Sequence, residues 1–445
     1  MLPWMFKNKI EFLTFKRTNI RNRNKRKYRG KFYWKHDRNY HGFLNFLNDR
    51  SFKNEDYNYV SSKNIAELII PEKFSFYDNP EGSLKVLQQL VGMYSDHRIE
   101  EIHIDHSLCK EIDLAASMMM DAILWEIDIR RKKMGKKIVF SGTLKHEENN
   151  KENENILELL ACSGVLKHLG VIKNLKIPEH IETLDFYDDY IKSEKNIDHK
   201  LAGQKVTEYF NRCYNKCGFS LTKDGFNKLS DLVAEIVLNC ENHCGENPKR
   251  WFCQGHYFVN TKDSNRIGEC QLSIVSIGQS FFEGINTGTE FIQDKCSEQY
   301  DKINSNWKTW FRLSKEKKKK ELFYLLFCLQ ENVSRLKDDN KNSDRGKGTV
   351  TLFENFQDIG KTSEGKNPLL SITSGSAQIL FDGTYKMQSN EFGTKVIAFN
   401  KENDINLKPD SVYVHNINSF FPGVIINLKF YIDEHYLEEY MNNKR

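Results

Sequence analysis

Between Leu84 and Gly170 short β-branched runs alternate with longer helical stretches, and that alternation constrains the fold of this chain more than any other feature. Leu84–Tyr94 reads as a helix and Ile99–Ile104 as a strand. Leu114–Met134 then places Ala115, Met118, Met119, Ala122, Ile123 and Ile127 at helical spacing, and Lys137–Phe140 is the next strand. After a polar insert, His146–Asn155, a helix starts over Ile156–Leu160, carries Gly164 and ends near Gly170. Strand, helix, strand, helix in this order predicts a parallel sheet with covering helices.

At 445 residues the chain has room for two or three domains of roughly 150 residues each. Charged residues make up 29% and the mean hydropathy is −0.64, yet 30 Phe, 19 Tyr and 6 Trp supply enough apolar area for real cores. The best apolar run, Leu322–Leu329, falls far short of the ~18 residues of a membrane helix, so no span is expected. Lys7, Lys9 and Glu11 interrupt the N-terminus before a secretory signal could form, which points to the cytoplasm. There the 10 cysteines read as reduced thiols or metal ligands.

Three blocks are expected: a basic aromatic arm over 1–60, an α/β domain over 61–185 and a third block over 198–445. The net charge of +5 is uneven, because Lys16–Arg38 holds eleven Lys or Arg against Asp37 alone. Within it, cations from Arg21 to Lys31 are interleaved with Tyr28, Phe32, Tyr33 and Trp34. That mixture suits phosphates and exposed bases, though it equally suits a solvated arm, an acidic partner protein or an anionic membrane. Nucleic acid binding through residues 16–38 is therefore one of several expectations. No clean period of 2 or 3.6 predicts a fold for the first block.

The third block opens with a helix, Gln204–Cys217, followed by a helix over Asp231–His243. Glu235, Asn239 and His243 recur every fourth residue of that second helix and so share one face, while Leu232, Val233, Ile236 and Val237 supply an apolar side. Such a stripe can orient a water, ligate Mg²⁺ through the amide oxygen and contact phosphate, or be an ordinary polar face. Downstream, the strand Cys270–Val275 runs into Ser276-Ile277-Gly278-Gln279-Ser280, and Asp344-Arg345-Gly346-Lys347-Gly348 opens an apolar run from Val350 to Phe356. Glycines ahead of a helix let backbone N–H groups approach phosphate oxygens. Three strand-like pieces follow: Leu369–Ser374 ending in Ser374-Gly375, Ala377–Phe381, and Val424–Ile432.

On these residues the region from Gln204 to Glu434 resembles the ATP-binding domain of the GHKL superfamily: gyrase-type topoisomerases, ninety-kilodalton chaperones, sensor histidine kinases, mismatch-repair ATPases and anti-sigma serine kinases. Its Glu-x-x-x-Asn-x-x-x-His stripe is closest to the anti-sigma kinase version. The resemblance implies an α/β sandwich with ATP and Mg²⁺ as cofactors, Glu235 as general base, Asn239 as Mg²⁺ ligand and His243 as a contact either to phosphate or to the groups that hold it. It also implies that Ser276, Gly278 and Ser280 shape the adenine pocket, that Gly346, Lys347 and Gly348 hold phosphates under an enlarged lid over 287–344, and that Ser374 and Gly375 border the site. The family's aspartate is replaced by Ser276, its next glycine by Ser280, and a usual threonine by Val424 after Pro422-Gly423. A neutral hydroxyl accepts more weakly than a carboxylate.

The second block resembles a STAS-like domain, the small fold of anti-sigma-factor antagonists. The match rests on Ile102–Asp105, the loop Cys109–Asp113 opening a helix, and the Ser163-Gly164 turn. Where phosphorylatable antagonists carry a serine, Leu114-Ala115-Ala116 follows Asp113. Together the two resemblances imply a nucleotide-dependent switch in a prokaryotic regulatory or defence-type complex, with a regulatory partner protein and a homodimer as possible assemblies. A non-hydrolysing scaffold and serine phosphotransfer to a partner are the alternatives. His199 sits in no phosphoacceptor motif and reads as a surface residue. Cys213 and Cys217, with Cys240 and Cys244, could assemble a zinc site, but helix-borne pairs at this spacing also pack as buried thiols.

Overall fold

The computed structural model describes residues 12–17, 44, 47, 52, 57–96, 98–145, 151–168, 177–185, 198–243, 250–259, 267–307, 316–331, 333, 350, 360–391 and 393–443. Among them the expected arm over 1–60 and the expected domain over 61–185 merge into a single first block, with β1 Phe12–Arg17, β2 Asn58–Val60, β3 Ile65–Ile69, β4 Lys73–Phe74, α1 Pro80–Ser95, β5 Glu101–Asp105, β6 Glu111–Ile112, α2 Leu114–Lys133, β7 Val139–Lys145, α3 Lys151–Cys162 and α4 Val165–His168. Five strands form a sheet in the order β1-β7-β5-β3-β2. The central three are parallel, as the alternation predicts, and each edge strand is antiparallel to its neighbour.

Local chemistry sets the helix starts. Asn79 accepts from the Gly82 N–H ahead of α1, with Pro80 at a position that has no N–H to satisfy. Asp113 accepts from the Ala116 N–H at 2.8 Å ahead of α2, which ends in Arg130, Arg131, Lys132 and Lys133, cations that suit a helix C-terminus. The α3 helix begins at Lys151, inside the expected polar insert, because Lys and Glu are good helix formers that prolong the apolar turn behind them. Two features of the N-terminal block were not foreseen: β1 pairs with β7, and Leu44, Leu47 and Phe52 are buried in the first core. The remainder of the basic stretch 16–38 lies outside the described residues.

The second sheet has the order β11-β14-β10-β9-β8 and is antiparallel throughout. Its strands are β8 Ile181–Asp185, β9 Arg250–Val259, β10 Ile267–Ile277, β11 Leu369–Phe381 and β14 Val414–Asp433, with a small β12 Gln388–Ser389 and β13 Lys395–Val396 pair beside it. Because β8 pairs with β9, residues 181–185 belong to this sheet rather than to the α/β domain expected over 61–185. The two expected pieces Leu369–Ser374 and Ala377–Phe381 are one strand, bulged at Ser374–Gly375. Helices α5 His199–Lys216, α6 Lys223–His243, α7 Phe281–Asn286, α8 Glu290–Trp307 and α9 Glu316–Cys328 share a core with one face of the sheet, and α10 Glu434–Asn443 follows β14. Within the expected lid, Leu322–Leu329 is buried in that core, so this part of the segment packs as an interior helix.

The opposite face of the second sheet is also covered. Phe252, Val275, Ile277, Phe421 and Ile425 join the cluster that holds Ile102, Ile104 and Phe140 of the first sheet and the buried residues of α2. This position between two sheets explains why α2 is buried nearly all round, Asp121, Glu126, Asp128 and Arg131 included. Polar contacts tie the same junction: Gln378 Nε2 donates to the Phe76 carbonyl at 2.6 Å, and Asn418 donates twice to Glu81 Oε1 at 2.9 Å. Gln254 Nε2 donates to the Ser163 carbonyl at 2.5 Å. The molecule is thus mixed α/β, two sheets with α1 and α2 between them.

Candidate functional site

Of the residues singled out in the third block, Ser276, Gly278, Ser280, Ser374 and Gly375 lie at one end of the second sheet, where Cys240 of α6 meets it. Ser276 on β10, Val424 on β14 and Ser374 on β11 lie in one cross-strand row. This row faces the helices, since Val424 belongs to the helix-side core and Ser276 Oγ donates to the Cys240 carbonyl of α6 at 3.4 Å. Gly278 follows directly, its N–H donating to the Pro422 carbonyl at 3.1 Å. Gly423 has φ 144°, and a Cβ there would overlap the Ser276 carbonyl oxygen, so the close pairing of β14 with the end of β10 requires glycine.

Ser280 caps α7 in a reciprocal pair with Glu283: the Glu283 N–H donates to Ser280 Oγ at 3.2 Å and the Ser280 N–H to Glu283 Oε2 at 3.0 Å. The next N–H, of Phe281, donates to Ser374 Oγ at 2.8 Å, which joins the Ser276–Ser280 turn to the bulge of β11. Gly375 occupies that bulge with φ 60°. Beside it Glu321 of α9, a carboxylate not foreseen from the sequence, is 2% exposed and accepts from the Ser376 N–H at 2.8 Å and from the Ser376 hydroxyl. Its position directly after Lys317, Lys318, Lys319 and Lys320 gave no hint that it would turn inward.

On α6, Glu235 is half-buried and Asn239 exposed, with Cys240 buried beneath them. His243 ends the helix, and its side chain lies outside the described residues, as do Gly346, Lys347 and Gly348. Asn239 and Ser276 are therefore brought to the same end of the sheet, one residue of α6 apart through Cys240. His199 Nδ1 lies 3.4 Å from Glu241 and 3.7 Å from Asp198, a local ion-pair setting.

The donor chemistry fits a nucleotide in part. Ser276 donates to Cys240, and a serine oxygen has the acceptor polarity an adenine amino group needs. Ser276 is nonetheless 0% exposed, so a base reaches it only by opening the contact between α6 and β10. The exposed Asn239 amide is free of that restriction.

The thiols play a different part. Cys213, Cys217 and Cys240 are buried in the helix-side core, where Cys217 Sγ lies 3.3 Å from the Tyr257 hydroxyl. Burial holds the Cys213 thiol well above its ordinary pKa, as suits a thiol packing as a small apolar group. Cys244 lies outside the described residues. Among the described residues no helix is long and apolar enough to cross a membrane.

In comparisons with known proteins, no family model matches this sequence, and no curated protein and no solved structure matches it either.

Proposed function

We propose that this chain is a nucleotide-binding switch of the GHKL type, taking ATP with Mg²⁺ between α6 and the Ser276–Ser280 turn, next to a STAS-like block that passes the nucleotide state to a partner protein. The observation that supports it most is the contact of Cys240 on α6 with Ser276 in the row Ser276, Val424, Ser374, because it sets the helix that carries Glu235 and Asn239 against the strand that leads to Gly278. In this reading the Asn239 amide oxygen holds Mg²⁺, which when bound supplies charge neutralisation on the phosphates. Glu235 orients a water and accepts its proton. His243 contacts phosphate, Gly346, Lys347 and Gly348 hold the phosphates through backbone N–H groups and the lysine ammonium, and Gly375 keeps the bulge open beside Ser374. The GHKL and STAS-like assignments, a cytoplasmic setting, a homodimer, nucleic acid contact through residues 16–38 and a role in a prokaryotic regulatory or defence-type complex belong to the same proposal.

A second reading, a non-hydrolysing scaffold, draws on the full burial of Ser276 and on the apolar Val424 in the middle of the row. Turnover separates the two. The switch reading expects ATP hydrolysis by the purified protein and its loss, by about a hundredfold or more, in Glu235→Ala with nucleotide binding retained. Equal turnover in both proteins contradicts the role of Glu235, and no turnover in either favours the scaffold.

A further inference from the structure

The face of the second sheet that meets the first block changes character along its strands. At one end Phe252, Val275, Ile277 and Ile425 are apolar and packed with α1 and α2. Toward the other end one cross-strand row reads His256, Gln271, Lys429, in register on β9, β10 and β14. Opposite stand Tyr77 and the start of α2, whose Leu114 N–H donates to Gln271 Oε1 at 3.3 Å. A cavity of about 250 Å³ opens between these groups, with Glu111, Asp113 and Glu269 also in its wall.

Among the described residues, two polar groups of this cavity lack a hydrogen-bond or ion-pair partner. Lys429 makes no hydrogen bond or ion pair among the described residues, and its Nζ lies over the Tyr77 ring, 5.6 Å from the centroid. The Tyr77 hydroxyl is itself buried with no hydrogen-bond partner among the described residues. An ammonium and a hydroxyl left so inside a domain contact carry a desolvation cost that an acceptor would remove. Burial works against the Lys429 charge, but Glu269, Tyr431, Glu111 and Asp113 outweigh it and keep the group an ammonium.

The carboxylates are in a different position. Asp113 is used by the N–H groups of Ala116 and Phe76. Glu269 accepts from Gln271 Nε2 through Oε1 at 2.7 Å, and its Oε2 has no partner among the described residues. At the mouth, Glu111 lies 3.8 Å from Lys73, while Lys110 and Glu158 are matched by Glu72 at 2.8 Å and His180 at 3.3 Å. A simple anion at Lys429 would meet three carboxylates, and a simple cation would leave Lys429 unpaired and repel it. No three metal-ligating side chains converge among the described residues.

From this arrangement we propose that the cavity between the two blocks binds a small zwitterion of amino-acid size, its carboxylate between Lys429 Nζ and the Tyr77 hydroxyl and its ammonium against Glu269 Oε2. The size follows from the volume, which is below the ~300–1,000 Å³ of sites for drug-sized ligands. The site is on the face of the sheet away from α6 and stands independently of the nucleotide reading.

Calorimetric titration of the full chain with a panel of L-amino acids, and with acetate and methylammonium as the two half-ligands, tests it. At least one amino acid binds and raises the melting temperature, and each half-ligand binds far more weakly. Lys429→Met weakens that binding about tenfold or more. Tyr77→Phe removes only an unsatisfied hydroxyl, so the unliganded protein keeps or gains stability while ligand stabilisation falls; this variant carries the test if Lys429→Met does not fold. No binding by any amino acid, a half-ligand binding as tightly as the zwitterion, or affinity unchanged in the variants overturns the proposal.

Discussion

His106 is buried with both ring nitrogens lacking a hydrogen-bond partner among the described residues, and burial lowers its pKa from the ordinary 6.5 to about 4. His256 is lowered to about 4 by the same cause, with Ser163 Oγ 2.9 Å from its Nδ1. In the unfolded chain both imidazoles take protons near 6.5, so between 6.5 and 4 the unfolded state binds more protons and folding weakens as the pH drops. Asp113 opposes this, since burial raises its pKa from 3.8 to about 6 and its contribution grows as the pH falls through that window. Two imidazoles outweigh one carboxyl. Replacing His106 by Leu should therefore flatten the acid limb of the melting temperature, sparing up to about 3 kcal/mol of the stability lost between neutral pH and the folded-state pKa. Parallel limbs in wild type and His106→Leu would show that this imidazole is not what the acid attacks.

Among the elements, α6 depends on its contact with α5. Gly203 of α5 faces α6 so closely that a Cβ would overlap the Ser230 carbonyl oxygen and come within 3.0 Å of the Ala234 Cβ. Ala234 adjoins Glu235, so the glycine sets how α6 lies over β10. Gly203→Ala should cost about 1–3 kcal/mol by chemical denaturation and reduce nucleotide binding with no change at Glu235 or Asn239. A variant as stable as wild type would mean that the helices part without cost. The stripe on α6 was legible in the sequence because a helix places every fourth residue on one face. By contrast, β9 was not foreseen: Trp251 and Cys253 face one core while Phe252 and Gln254 face the other junction, so no polar alternation marks it as a strand. Nor did Lys429, between Leu428 and Phe430, announce itself, because its neighbours across the cavity, Tyr77, Glu111 and Asp113, come from the far end of the chain.

Taken whole, the molecule gives its second sheet two different faces. One lies under α5 to α9 and ends at the row Ser276, Val424, Ser374; the other is sealed by α1 and α2 except where charged residues line a cavity. The strands are shared, so a change in pairing at the Ser374–Gly375 bulge reaches both, through the Gln378 contact with Phe76 and the Asn418 contact with Glu81. In the proposed switch, that shared sheet is the route by which a nucleotide signal would reach the first block. The alternation between Leu84 and Gly170 disclosed the first sheet because parallel strands must alternate with crossovers. The packing of one block on the other left no periodic trace, since it uses faces that each block's own pattern already presents as apolar. The most direct measurement of the central claim is calorimetric titration of ATP with Mg²⁺ into the purified protein beside Asn239→Ala. The account predicts binding that the substitution weakens by about tenfold or more; no binding to wild type, or equal binding to both proteins, would contradict it.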